Sequence, residues 1–113
     1  MFSLSNTHQY FLYTGPTDMR KSFDGLAGVV QQHFNRNPLN GEVFVFINKR
    51  RDRLKLLHWE PGGFTLYYKR LEKGTLEIPD IQGDTCHISW STLMLMIEGI
   101  GLESVKKRPR FGQ

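Results

Sequence analysis

The chain has 113 residues, of which 39% are apolar and 12% aromatic, a size and composition typical of one folded domain. No apolar stretch approaches the roughly 20 residues of a membrane-spanning helix, and the N-terminus has no signal-peptide pattern, so we expect neither. A single cysteine, Cys86, excludes an internal disulfide and favours a reducing compartment, so we expect a cytoplasmic protein. The net charge of +4 permits a polyanionic partner without establishing one.

The first third of the chain predicts a strand followed by a helix. Residues 10–13 form an aromatic run that Gly15 and Pro16 end, which is typical of a strand leading into a turn. Thr17 or Ser22 is then positioned to cap a helix. Its apolar face is predicted to consist of Phe23, Leu26, Ala27, Val30 and Phe34. The helix is expected to end at Asn37, because the residue before a proline avoids helical conformation.

The middle of the chain predicts further strands. Residues 42–47 are apolar on both faces, which indicates a central strand. Residues 54–59 and 64–71 follow after a charged connection and a Pro-Gly-Gly turn, and residues 75–78 predict a short additional strand. Ser89 is predicted to cap a second helix with an apolar stripe of Leu93, Met96, Ile97 and Ile100.

These elements predict an α+β fold, an antiparallel β-meander of about four to five strands with two helices packed on it. We expect both helices on the same face of the sheet. Residues 1–103 are predicted to form this single domain, and residues 104–113 a basic, mobile C-terminal tail.

The charges are grouped in blocks along the chain. Residues 1–48 have no net charge, residues 49–73 carry +5, residues 74–103 carry −5 and residues 104–113 carry +4. Contacts to phosphate groups require basic blocks of this kind. The alternative interpretation is that these are solvated loops that keep the protein soluble.

The sequence shows no recognisable catalytic or metal-binding pattern. The possible ligands do not have metal-site spacing; they are His8, His33, His58, Cys86 and His87. The chain has no nucleophile motif and no glycine-rich phosphate loop. The predicted strands contain almost no carboxylates of the kind that two-metal nuclease chemistry needs. We therefore expect no catalytic residues, no metal and no cofactor, and a protein that is not an enzyme.

The basic block at residues 49–73 is the best candidate for a functional site. Strand alternation places Arg53, Lys55 and Trp59 on one face, and Tyr67 and Tyr68 on opposite faces of the next strand. A surface that mixes cations with aromatic rings could hold phosphates and stack on bases. The alternative is that the rings cover the sheet beneath the stems of Lys and Arg side chains.

A second basic pair precedes the first predicted helix. Arg20 and Lys21 could bind a phosphate there, or Arg20 could pair with a nearby acid while Asp18 caps the turn. The predicted nucleic-acid-binding residues are Arg20, Lys21, Lys49, Arg50, Arg51, Arg53, Lys55, Lys69, Arg70, Lys106, Lys107, Arg108 and Arg110.

Several blocks of sequence together resemble one protein family. They are TGPTDMRKSFDGLA at 14–27, VFVF at 43–46, Arg50 and Arg51, LKLL at 54–57, YKRLEKG at 68–74 and LMIEGI at 95–100. In this order they are similar to the small TnpB accessory proteins of the IS-sixty-six-type bacterial insertion sequences, across nearly the whole domain. The departures are Ser22, where a glycine is common, and Trp90, where a proline often opens the last helix.

The resemblance implies a role in transposition beside a separate, larger transposase, and not the RNA-guided nuclease that shares the TnpB name. We expect a non-catalytic accessory protein that binds DNA through its basic hairpin and tail, with the transposase as a second partner. The alternative is a module that docks the transposase without contacting DNA. The surface that would dock the transposase is the apolar stripe of Leu93, Met94, Met96 and Ile97. The alternative interpretation is that this stripe is the buried face of an ordinary core helix.

Overall fold

A computed structural model describes residues 4–98 as a five-stranded sheet with one helix on each face. The elements are β1 (Tyr10–Pro16), α1 (Phe23–Val29) continued by a π-helical turn (Val30–Phe34), β2 (Val43–Ile47), β3 (Arg53–Glu60), β4 (Gly63–Arg70), β5 (Thr85–Ile88) and α2 (Trp90–Glu98). The strand order is β4-β3-β2-β1-β5. The predicted α+β class is confirmed. The predicted basic tail at 104–113 lies outside the described residues.

The central strand is β2, as its sequence predicts. Val43, Val45 and Ile47 contribute to the core on one face of the sheet, and Phe44 and Phe46 to the core on the other. All five residues are at most 1% exposed. A strand that is apolar on both faces is stable only when other elements pack on both faces. Either row of side chains, if left in water, would lose the favourable free energy of burial.

The expectation that both helices pack on one face is wrong for this reason. Leu26 of α1 packs with the phenylalanines of β2, whereas Leu93 and Met96 of α2 pack with its valines. Each helix covers one face. No helix within residues 4–98 is long and apolar enough to span a bilayer.

The sheet is mostly antiparallel, but it is not a simple meander. β1 runs parallel to β2, with Tyr10 opposite Val43 and Tyr13 opposite Phe46, while the other three pairings are antiparallel. Parallel neighbours cannot be joined by a tight turn, so α1 forms the crossover between them. The predicted first helix is thus the connection that makes the pairing parallel.

The predicted strand at residues 75–78 is wrong, and β5 lies beside β1 at the edge of the sheet instead. The amide of Leu76 donates to the carbonyl of Arg51 at 2.6 Å, and the amide of Glu77 to the carbonyl of Met96 at 3.3 Å. These donors bind a turn and a helix rather than a neighbouring strand. The Leu76 side chain, only 2% exposed, still enters the core that α2 covers.

The two helices begin differently. Ser89 caps α2 as predicted, since its hydroxyl accepts a hydrogen bond from the amide of Thr92 at 3.0 Å. Ser22 precedes α1, but its hydroxyl makes no capping hydrogen bond. The helical segment ends before Asn35, which has a left-handed backbone with φ of 53°.

Substituting Leu76 with alanine tests whether this irregular segment is part of the core. We expect the free energy of unfolding to fall by about 2–5 kcal/mol, because a buried leucine leaves a cavity. Leu39→Ala is the matched control, because Leu39 is 49% exposed, and should change stability by about 0.5 kcal/mol or less. Urea denaturation measures both, and equal small losses would show that residues 75–78 do not pack against the sheet.

Candidate nucleic-acid interface

Several chain segments bring their basic residues to one end of the sheet. β1 ends at Pro16 opposite Ile47, the last residue of β2, and Ile47 pairs with Leu54 near the start of β3. Arg53, the first residue of β3, lies opposite Arg70, the last residue of β4. We name this the basic end, and its cationic residues are Arg20, Lys21, Lys49, Arg50, Arg51, Arg53, Lys69 and Arg70. Predicted DNA-binding residues from two separate parts of the sequence therefore lie at the same end of the sheet.

Asn48 organises the turn between β2 and β3. Its side-chain carbonyl accepts hydrogen bonds from the amides of Asp52 and Arg53, both at 3.0 Å, and its side-chain amide donates to the Asp52 carboxylate at 2.7 Å. This last bond lowers the pKa of Asp52. Arg51 has a left-handed backbone with φ of 60°. Because the turn satisfies its own polar groups, the cations at its tip are left exposed to solvent.

Neighbouring segments hold this turn from both sides. The amide of Leu71 donates to the carbonyl of Asp52 at 2.8 Å, next to the bond from Leu76 to Arg51. On the other side, the amide of Thr17 donates to the carbonyl of Ile47 at 2.8 Å. The positions of the cations are therefore set by hydrogen-bonded backbone, even though no helix or strand contains the turn.

Asp18 and Arg20 form a local ion pair in the loop between β1 and α1. The Arg20 guanidinium lies 2.6 Å from the Asp18 carboxylate, which also accepts a hydrogen bond from the Arg20 amide at 2.9 Å. These bonds lower the pKa of Asp18 to about 2. Arg20 thus forms the ion pair that its structural interpretation predicts, and its side chain remains 90% exposed.

Lys55 is placed differently from the other predicted cations. Only 5% of the residue is exposed, and its ammonium donates to the carbonyls of Met19 and Lys21, both at 2.7 Å. A buried charge is tolerated only when it is hydrogen-bonded, and these carbonyls supply the acceptors. Lys55 fastens the loop before α1 to the sheet, and it does not belong to the exposed basic surface.

The aromatic residues of this region also separate. Tyr67 packs against the core that α2 covers. Trp59 contacts Phe64 at the far end of β3, with ring centroids 5.0 Å apart. Tyr68 lies at the basic end, is 49% exposed and accepts a hydrogen bond from Arg53 at 3.2 Å. Of the three predicted rings, only Tyr68 combines exposure with neighbouring cations.

The two ends of the sheet use their positive charges differently. At the opposite end, Arg36 donates two hydrogen bonds to Glu42, at 2.6 and 2.8 Å, and its guanidinium covers the ring of Phe11. At the basic end, four exposed cations have no carboxylate within 4.0 Å among residues 4–98. They are Lys21, Lys49, Arg50 and Arg51. The basic end thus carries uncompensated charge.

A cleft of about 380 Å³ lies between the loop before α1 and the turn after β2. Thr17, Asp18 and Met19 line one side of it. Its other side is lined by Asn48, Lys49, Arg50, Asp52 and Arg53. The hydroxyl of Thr17 is buried and has no hydrogen-bond partner among the described residues. The cleft makes one continuous surface from the two basic segments.

Sequence reasoning missed the residues that shape this surface. Asn48 followed by Asp52 is a turn signal that could have been found, because Asn and Asp side chains bind backbone amides nearby. The burial of Lys55 has no local signal, since it depends on a loop more than 30 residues earlier in the chain. The tail candidates Lys106, Lys107, Arg108 and Arg110 lie outside the described residues.

The described residues do not assemble a metal site. Within residues 4–98, no three His, Cys, Asp or Glu side chains are grouped so that they could hold a metal ion. Cys86 is a half-buried free cysteine on β5, and burial raises the pKa of its thiol. A thiol with a raised pKa is a weak nucleophile at neutral pH.

The apolar stripe of α2 divides into two parts. Leu93 and Met96 are fully buried in the core, so the core-helix interpretation is correct for them. Met94 and Ile97 are half-buried and, together with Leu93, line an apolar groove of about 190 Å³. The other residues of the groove include Trp90 on α2 and Tyr67 on β4.

Substituting Lys55 with methionine tests its structural role. The change keeps an apolar side chain of similar length but leaves the carbonyls of Met19 and Lys21 without a donor. We expect each lost hydrogen bond to lower the free energy of unfolding by about 1–3 kcal/mol. Lys69→Met is the control, because this half-buried lysine of β4 makes no such bonds, and should change stability by about 0.5 kcal/mol or less. Urea denaturation that finds equal small effects would contradict the assignment.

The pKa of Asp18, measured by NMR titration of its carboxyl carbon, should be about 2. Arg20→Gln should raise it towards the ordinary value of 3.8, whereas Lys21→Gln should move it far less, since Arg20 supplies the hydrogen bonds. Because the pKa is lowered, the stabilising contribution is present at neutral pH and is lost as the pH falls through about 2. An Asp18 that titrates at the ordinary value in the parent protein would show that the pair does not form.

Comparison with known proteins identifies relatives of the chain. The family described as IS66 Orf2 like protein matches residues 8–107. The protein y4jC of Sinorhizobium fredii is 33% identical over 96 residues, which cover 85% of this chain and 82% of y4jC. The protein y4hO of the same organism is 37% identical over 90 residues, 80% of this chain and 78% of y4hO. Both relatives are described as uncharacterized.

No solved structure matches the chain. The family match spans β1 to α2 and includes both segments that form the basic end. This family match agrees with the family resemblance that the sequence blocks indicate. The chain therefore belongs to the IS66 Orf2-like family, which associates it with transposition of an insertion sequence as an accessory protein.

Proposed function

We propose that this protein is a non-catalytic accessory factor of transposition that binds DNA through the basic end of its sheet. The observation that carries the proposal is the convergence of eight cationic residues on one end of a rigid sheet. DNA backbones are bound by such arrangements, because neutralising phosphates releases condensed counterions. The sequence adds four further cations in residues 104–113.

The contrast with the opposite end supports DNA binding over a general role in solubility. Charges that only keep a protein soluble need no defined position, and Arg36 shows that this chain pairs a cation where a carboxylate is available. The cations next to the cleft are instead unpaired and held on hydrogen-bonded turns. Phosphate contacts need that combination of free charge and fixed geometry.

The carboxylates of the basic end support an accessory role rather than nucleic-acid cleavage. Asp18 is bound to Arg20 and Asp52 to Asn48, while Glu72 lies 3.7 Å from Arg70. Metal-assisted cleavage needs several carboxylates directed at a common point. These carboxylates are each directed at a partner of their own.

A second candidate function is docking of the larger transposase without contact to DNA. The apolar groove beside α2 favours it, because Met94 and Ile97 leave adaptable apolar surface at its rim. A complex with the transposase that survives DNase treatment would support docking. Failure of Met94→Glu to weaken such a complex would exclude the groove as its site.

A salt titration of DNA binding tests the main proposal. We expect the full-length protein to bind a random-sequence duplex at low salt, with an affinity that falls by a log–log slope of about 0.9 per phosphate neutralised. Lys49→Gln combined with Arg50→Gln should weaken binding and reduce that slope by about 1.8, since two phosphate contacts are lost. Fluorescence anisotropy of labelled DNA measures both quantities.

The matched control combines Arg36→Gln with Asn37→Asp, which lowers the net charge equally at the opposite end of the sheet. Aspartate at position 37 can still accept the hydrogen bond from the Leu39 amide. This control should keep the parent slope. Equal losses in both double variants would assign binding to net charge alone, and absence of binding at low salt would overturn the proposal.

A further inference from the structure

We propose that Tyr68 is a stacking platform for an unpaired nucleobase, so that the basic end binds single-stranded DNA in preference to duplex. This inference rests on the proposed function, because it names the class of DNA that the same surface takes. Large exposed apolar side chains are uncommon in the described residues. Among residues 4–98, the large apolar or aromatic side chains exposed by more than two fifths are Phe23, Leu39 and Tyr68. Of these, Tyr68 alone lies among the cations of the basic end.

The ring of Tyr68 is held in one orientation before any ligand arrives. The ammonium of Lys55 lies 4.6 Å from the centre of the ring, and Arg53 donates to the hydroxyl at 3.2 Å. Lys55 is itself fixed by two backbone carbonyls and buried beneath the ring. Stacking on a ring that is already ordered avoids most of the entropy lost when a mobile side chain is fixed.

The face of the ring that remains for a ligand is the one opposite Lys55. Lys55 is only 5% exposed and its ammonium lies over the ring, so a ligand cannot reach the ring from that side. β4 is an edge strand, and among residues 4–98 no further strand lies beyond it in the sheet. A planar base can therefore approach the ring from outside the sheet.

Two arginines, Arg53 and Arg70, lie beside Tyr68 on the surface of the basic end. Arg53, Tyr68, Arg70 and Glu72 border an open surface depression of about 430 Å³. Arg70 lies two residues from Tyr68 on the same face of β4, about 7 Å along the strand. A base on the ring would thus leave its phosphates beside guanidinium groups, which bind phosphate oxygens with paired hydrogen bonds.

Glu72 is the one carboxylate on this depression, and it is weakly held. Its oxygen lies 3.7 Å from Arg70, and the two side chains are 85% and 62% exposed. An exposed pair at this distance contributes little, so a phosphate can replace the carboxylate beside Arg70. Glu72 therefore does not close the site to an anion.

The chemistry of stacking selects unpaired DNA. In a duplex both faces of each base are covered by neighbouring bases, whereas single strands offer base faces to aromatic side chains. Such stacking is sequence-tolerant, because every base has an aromatic face. Tyr68 would therefore add affinity for single strands, while the surrounding cations contribute to binding of either form.

The test compares a single strand with a duplex of the same length and sequence, using the full chain and fluorescence anisotropy. Tyr68→Ala should weaken binding of the single strand by about 5- to 150-fold and leave duplex binding unchanged. Tyr68→Phe is the matched variant, since it keeps the ring and loses only the bond from Arg53, and it should retain most single-strand affinity. The thermal midpoint of each variant confirms that it is folded.

A second measurement needs no substitution. A single strand in which the bases are replaced by abasic sites keeps its phosphates, and the parent protein should bind it as weakly as Tyr68→Ala binds the ordinary strand. If abasic and ordinary strands bind equally, or if Tyr68→Ala weakens single strand and duplex alike, the stacking inference is overturned while phosphate binding by Lys49 and Arg50 still stands. If the protein binds neither form of DNA at low salt, the proposed function itself fails.

Discussion

Because β1 and β2 run parallel, the chain has to cross back over the sheet between them, and α1 makes that crossing. The parallel pairing brings the carboxyl ends of both strands to the same end of the sheet. The loop carrying Arg20 therefore lies beside the turn carrying Arg50. An antiparallel pairing of the same strands would have placed these loops at opposite ends. The buried ammonium of Lys55 then fixes the first loop to the sheet, so both basic segments depend on this topology.

The parts of the fold that could be predicted from sequence are those whose burial pattern is local. β2 is apolar on both faces and β3 is rich in leucine, and both compositions indicate strands without knowledge of their neighbours. Residues 75–78 alternate between polar and apolar side chains, but the donors of Leu76 and Glu77 bind a turn and a helix that are distant in sequence. β5 is short and contains polar residues, so it has no local signal, and its pairing with β1 is set by the topology.

The sequence predicts which residue types form the candidate site, but not how those residues are arranged in space. A run such as Lys49 to Arg53 identifies a basic turn, and strand alternation correctly separates Tyr67 from Tyr68. Which of the two tyrosines meets solvent depends on the face that α2 covers, and the local sequence does not determine that face. Lys55 is indistinguishable from the exposed lysines in sequence. Its burial follows from two carbonyls on a loop that the crossover brings back to the sheet.

β4 borders the sheet, and the outer side of its backbone faces no other strand among the described residues. Such an edge can pair with the sheet of another molecule, and positive side chains on it oppose that pairing by repulsion. Lys69 and Arg70 place positive charge on this edge, so they oppose edge-to-edge pairing between copies of the chain.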